Sequence, residues 1–161
     1  MKLGEIRRTI LEPALAMLPP GLGGARAEVM LLAIGLQESG FKHRRPAIGP
    51  ERGYWRFDPD DDNVGAVLRH PATAALAVAV CDEQQVPPIE ERVFTALEHD
   101  DLLSAVFVRL RLHIEGERLP PVGDVGDAWS LYCRAWRPAE LIRRKWDRSY
   151  ARAMDALSAP P

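Results

Sequence analysis

From Val29 to Leu36 eight consecutive residues, Val-Met-Leu-Leu-Ala-Ile-Gly-Leu, carry neither charge nor a hydrogen-bonding side chain. They sit inside a proline-free stretch, Ala25 to Ser39, long enough for four turns of helix. A helix that is apolar on every side has no face to offer water, so it folds stably only when other helices wrap it. The run is also far short of the roughly 20 apolar residues of a membrane span. These two facts predict a helical protein built around one central helix.

The remaining pattern supplies the wrapping. Leu3, Ile6, Ile10, Ala14 and Met17 recur at helical spacing, with Pro13 either kinking this helix or opening its second half, and Pro19-Pro20-Gly21 ending it. Residues 40 to 63 alternate charge with Tyr54, Trp55 and Phe57 between glycines and prolines, which reads as a loop or small hairpin over the core. Helical spacing returns at Val64 to Arg69, at Pro71 to Gln84, at Glu90 to Glu98 and at Asp100 to Glu115. Asp124 or Asp127 can cap a helix running to Trp136. Pro138 should open a last helix carrying the stripe Ile142, Trp146, Tyr150, Met154, Leu157, with residues 158 to 161 a frayed tail. No repeat, linker or composition break divides the chain. The expectation is a mainly α single domain over residues 1 to 161.

Charge narrows the function. With 21 basic and 23 acidic residues and a formal net charge of -2, the chain lacks the basic footprint of a duplex-DNA binder or a membrane-surface helix. Arg44, Arg45, Arg52 and Arg56 lie around aromatic residues, but Glu51 and the acidic run after Phe57 oppose a phosphate chain, so no nucleic-acid partner is expected. Membrane insertion is not expected either. Glu5, Arg7, Arg8 and Glu12 interrupt the first 17 residues, which argues against a secretory signal and for synthesis in the cytoplasm. Cys81 and Cys133 are too few for a disulfide framework and read as free thiols. Asp58, Asp60 and Asp62 take positions 1, 3 and 5 of a calcium loop, yet Asn63 stands where the turn glycine belongs and Arg69 where the bidentate glutamate belongs. His43, His70, His99 and His113 lie on separate elements without paired spacing. No metal and no cofactor are expected.

Chemistry concentrates at the end of the central helix. A carboxylate there, Glu38, loses hydration and faces the negative helix pole, and both effects raise its pKa. A carboxyl that holds its proton near neutrality can act as a general acid toward a leaving glycosidic oxygen.

Glu38-Ser39-Gly40-Phe41 closing an apolar helix, with Gly53 fifteen residues beyond the glutamate and Phe57 after it, resembles the lysozyme-like superfamily, in its lytic transglycosylase and goose-type lysozyme branch. Ala128-Trp-Ser-Leu-Tyr132-Cys-Arg-Ala-Trp136 is a looser likeness to that family's later tyrosine helix. The resemblance covers residues 30 to 57 well and 128 to 136 weakly. It implies a peptidoglycan-cleaving glycosidase, lytic transglycosylase or muramidase, acting on the bond between N-acetylmuramic acid and N-acetylglucosamine. Glu38 would be the general acid and base, with Ser39, Tyr54, Arg56 and Tyr132 touching substrate. Tyr54 could be a sugar platform or a core plug, whereas Trp55 reads as core. Tyr132 could hydrogen-bond Glu38 or simply pack. Two departures stand out: the family's glutamine is Arg56 here, and Cys133-Arg134-Ala135 replaces its Asn-Ala-Gly. This combination looks more like a phage-borne member, reaching the wall through a holin-type pore or as part of a virion alongside other virion proteins. The alternative it leaves is a catalytically inactive lysozyme-like structural or binding protein of a phage or prophage. An inverting hydrolase would need a second carboxylate, for which Glu51, Asp58 and Asp62 are the candidates; a transglycosylase needs only one. Arg56 could aim at Glu38 and lower its pKa, or turn outward to Asp58 and the aspartates after it.

Overall fold

A computed structural model describes residues 1–159, and the chain is mainly α-helical. It opens with α1 (Leu3–Ile6), widens into a π-helical turn (Arg7–Leu11), and continues as α2 (Glu12–Ala16). Pro13 lies in the first turn of α2, and the widened turn before it, in which Glu12 N–H donates to the Arg7 carbonyl, accommodates a residue with no N–H to give. A 3₁₀ turn (Pro20–Leu22) leads to α3 (Ala25–Glu38), in which every residue from Val29 to Gln37 is buried. Then follow α4 (Asn63–Arg69), α5 (Ala74–Glu83), α6 (Glu90–Ala96), α7 (Asp101–Glu115), α8 (Val125–Trp136) and α9 (Arg143–Ser158). All contribute to one hydrophobic cluster, and α9 packs along α3.

Two helices begin later than the prolines suggest. Residues 71 to 73 form a turn and α5 starts at Ala74, with Thr73 Oγ1 donating to the Val67 carbonyl (2.8 Å) to close the corner from α4. Pro138 does not open the last helix. Residues 137 to 142 are irregular, and Ile142 precedes α9 as a 44% exposed residue rather than joining its buried stripe, which is Trp146, Ser149, Tyr150 and Ala153. Two helices are capped by aspartates: Asp100 accepts from Leu103 N (2.9 Å) and Asp124 from Asp127 N (3.1 Å). At the tail, Ser158 still belongs to α9, and residues 160 and 161 lie outside the described residues.

The segment after α3 is what builds the site. Gly40 (φ +65°) and Phe41 (φ +56°) both take the left-handed conformation, reversing the chain so that the Phe41 ring folds back against α3. It lands on Gly35, where a Cβ would sit 2.0 Å from the ring. Residues 52 to 57 then make a tight hairpin, with Arg52 and Phe57 exchanging backbone bonds of 2.9 and 3.0 Å. Gly53 (φ +78°) has no room for a side chain beside the Leu97 carbonyl. The hairpin is locked inward: Trp55 Nε1 donates to the Leu31 carbonyl of α3 (2.8 Å), and Trp136 Nε1 of α8 donates to the Trp55 carbonyl (2.8 Å).

Candidate functional site

At the C-terminal end of α3, Glu38 is half-buried and lines a cavity of about 380 Å³ between residues 46–61, the end of α8 and the irregular segment before α9. Grooves of about 420 and 650 Å³ exist elsewhere, so size does not single this one out. Convergence does. Tyr132, 94 positions away on α8, donates its hydroxyl to Glu38 Oε1 at 2.6 Å. Tyr132 is in turn fixed by Trp146 of α9, whose ring stacks on it nearly parallel (4.9 Å, 7°).

Two opposed effects act on the Glu38 carboxyl. Burial pushes its pKa above the ordinary carboxylate range and dominates. The Tyr132 hydrogen bond, then the Lys145 and Arg56 charges, pull it back, while Glu51 adds a small push upward. The helix pole expected from the sequence is itself blunted, because Lys145 Nζ of α9 donates to the Gln37 carbonyl at 2.6 Å, on the last turn of α3. Burial and the neighbouring carboxylate in turn push the Tyr132 phenol well above its usual range, so it stays a donor.

Arg56 makes no direct contact with either candidate partner, yet its charge still lowers the Glu38 pKa. Held at φ +55° on the hairpin, it donates Nη1 to the Gly53 carbonyl (2.7 Å), and among the described residues it forms no ion pair with Glu38 or Asp58. It nonetheless lines the same cavity, where burial lowers its pKa and Glu38 and Glu51 partly restore it. Of the carboxylates considered as a second group, Glu51 and Asp58 face this cavity, with Glu51 Oε2 sealed and without a hydrogen-bond partner. Asp62 does not face it; as N-cap of α4 it pairs with Arg69. Asp61 takes its place, its pKa raised by burial and by Asp58, against an opposing pull from Arg137 at 4.0 Å.

Tyr54 is a core plug, 4% exposed, with its ring edge-on to Phe41 (5.6 Å) and the Arg44 guanidinium 4.7 Å over it. The alternation that would have put it opposite Trp55 does not hold in a turn this tight, and both side chains point inward. Ser39 does not line the cavity either. Its Oγ accepts from Phe41 N (3.1 Å), serving the chain reversal.

Lys145, Asp61, Arg137 and Gln37 are cavity residues that sequence reasoning did not single out. For Lys145 a signal existed, since it is the neighbour of Trp146 in the apolar stripe of α9. For Gln37 none did; its side chain is buried and accepts from Ser149 Oγ (3.1 Å). Comparison with protein-family models, with curated proteins and with solved structures finds no match to this chain.

Proposed function

We propose that the protein is a lysozyme-like, peptidoglycan-cleaving glycosidase, a lytic transglycosylase or muramidase, that uses Glu38 as general acid and then general base. The observation that carries this reading is the half-buried Glu38 carboxyl, its proton affinity raised by burial, with one oxygen held by Tyr132 in an open cavity. Among the described residues Oε2 accepts no hydrogen bond, so it is the oxygen left to meet a ligand.

In the first half of the reaction, protonated Glu38 gives its proton to the glycosidic oxygen as the bond from the muramic C1 breaks, leaving positive charge on the sugar. The new carboxylate is stabilised by the Tyr132 hydroxyl and by the Lys145 and Arg56 charges. In the second half it takes a proton from the attacking hydroxyl. If the attacker is the sugar's own primary hydroxyl, the product is an anhydro sugar; if it is water, the product is a reducing end. A group that must give and then take a proton needs both forms within reach, and burial opposed by cations provides that balance.

The same cations favour a second reading. Arg56 where the family carries glutamine, together with Lys145, weakens the acid form, as expected of a lysozyme-like frame kept as an inactive structural or binding module. Mass analysis of muropeptides after incubation with purified cell wall separates the outcomes. Anhydro products mean transglycosylation and reducing ends mean hydrolysis. An undigested wall that binds the protein leaves the second reading.

A further inference from the structure

Exposed apolar side chains gather at the mouth of the Glu38 cavity. Ile48 is 92% exposed, Leu141 68% and Ile142 44%. Ile48 and Ile142 line the mouth itself, and Leu141 adjoins Ile142 in the irregular segment before α9. None of the three is needed by the core, since the apolar stripe of α9 that packs inward begins at Trp146. Solvated chains rarely leave such tips uncovered and close together without a partner.

The segment that carries Leu141 and Ile142 is rich in positive charge. From Arg134 to Arg148 the chain carries six cations, Arg134, Arg137, Arg143, Arg144, Lys145 and Arg148, against two carboxylates, in a protein of formal net charge -2. Those carboxylates are Glu140, exposed on the same segment, and Asp147, which Arg143 engages at 2.8 Å. Across the cavity, Glu51, Asp58 and Asp61 lie deeper, and Arg137 approaches Asp61. Arg144 and Arg148, one turn apart on α9 and exposed, make no ion pair among the described residues.

We propose that this surface docks on an anionic lipid bilayer, with Leu141, Ile142 and Ile48 entering the headgroup boundary and Arg144 and Arg148 meeting the lipid phosphates. Apolar tips beside a cation-rich segment suit that partner because the bilayer interface offers both apolar depth and negative potential. A soluble polyanion would use the cations and leave the tips wet. A second copy would have to set this basic patch against itself in a two-fold contact, which like charge opposes. Docking places the cavity mouth at the membrane surface. It does not depend on Glu38 being an acid, and its test involves no cleavage.

The test is co-sedimentation of the full chain with vesicles of phosphatidylcholine, with and without phosphatidylglycerol, across a salt series. Binding is expected only with phosphatidylglycerol, weakening as salt rises. Combined Ile48→Ser and Leu141→Ser, which keeps the net charge, should lower vesicle affinity about tenfold or more. Arg144→Gln and Arg148→Gln should each cost about fivefold. All four side chains are exposed, so thermal midpoints should match the parent's, which checks that folding is intact. Absence of vesicle binding overturns the proposal. So does binding that the serine variant retains while heparin or single-stranded DNA competes equally, which marks a polyanion surface. A concentration-dependent dimer abolished by Leu141→Ser also overturns it, in favour of a self-interface.

Discussion

The two long interior helices, α3 and α7, each carry charge inward and treat it in opposite ways. On α3 the charge is Glu38, in the last turn and open to a cavity, with a hydroxyl donor and two cations nearby. On α7 there are two, Arg111, which Asn63 and Glu115 engage, and Arg109, in mid-helix and 3% exposed, whose Nε donates to the Leu22 carbonyl (2.7 Å) and whose Nη1 is sealed without a partner. Burial favours the neutral form in both cases, raising the Glu38 pKa and pulling that of Arg109 down to about 10. Both shifts point toward neutral pH, but only Glu38 lines a cavity that a ligand can enter. Arg109 stays cationic and works as a strut tying α7 to the turn Pro20–Leu22. The same desolvation thus leaves one group open to a ligand and makes the other a fastening, depending on whether a cavity reaches it.

The largest expected effect tests that contrast directly. Glu38→Gln should reduce wall cleavage to background, because the amide keeps the shape but has no acid proton to give. Its stability should equal or slightly exceed the parent's at neutral pH. A carboxyl with a raised folded-state pKa carries a penalty that is absent below its unfolded pKa, near 4.3, and complete above the folded one. Thermal melts across that window should show the two proteins converging as pH falls. Parental cleavage by the variant would remove Glu38 from the chemistry.

Arg109→Ala should cost about 3 kcal/mol in denaturant unfolding, since it empties a buried site and orphans the Leu22 carbonyl. The pH profile of any cleavage should not move. A displaced profile would mean the two helices are electrically coupled and the contrast is false.

Tyr132→Phe should lower the rate ~10- to 100-fold, the order lost with one oriented hydrogen bond. It should also shift the limb on which activity falls with rising pH toward higher pH, because the hydroxyl is the strongest of the influences lowering the Glu38 pKa. An unchanged rate and limb would reduce Tyr132 to packing. Arg56→Gln should give the smallest change, a rise in activity and an upward shift of the same limb that is smaller than for Tyr132→Phe, since Arg56 ranks below both Tyr132 and Lys145 in its pull on Glu38. Activity destroyed by that substitution would instead make Arg56 a substrate-binding residue.

What the sequence by itself determined follows from short-range rules. Eight apolar residues in a row require a wrapped helix, Ser39-Gly40 ends it, and Glu38 must therefore stand where the core gives way to surface. The pattern puts the start of α7 at Asp100 and that of α8 at Asp124 or Asp127, because a cap needs only its own next turn, and Asp100 and Asp124 are the caps. Prolines 71 and 138 misled, because a proline fits a turn before a helix as well as a helix's first turn. What the tertiary structure alone decided is which side chains share the cavity. Tyr132 reaches Glu38 only once α8 and α9 are packed and Trp146 stacks behind it, and Tyr54 turns into the core only because left-handed residues fold the hairpin tightly. Asp61 rather than Asp62 faces the site, the Asp62 carboxylate being engaged by Arg69 at the far end of α4. Helical period sets which residues lie on a face. Which face meets which partner depends on contacts across the whole chain, and those form only when the core closes.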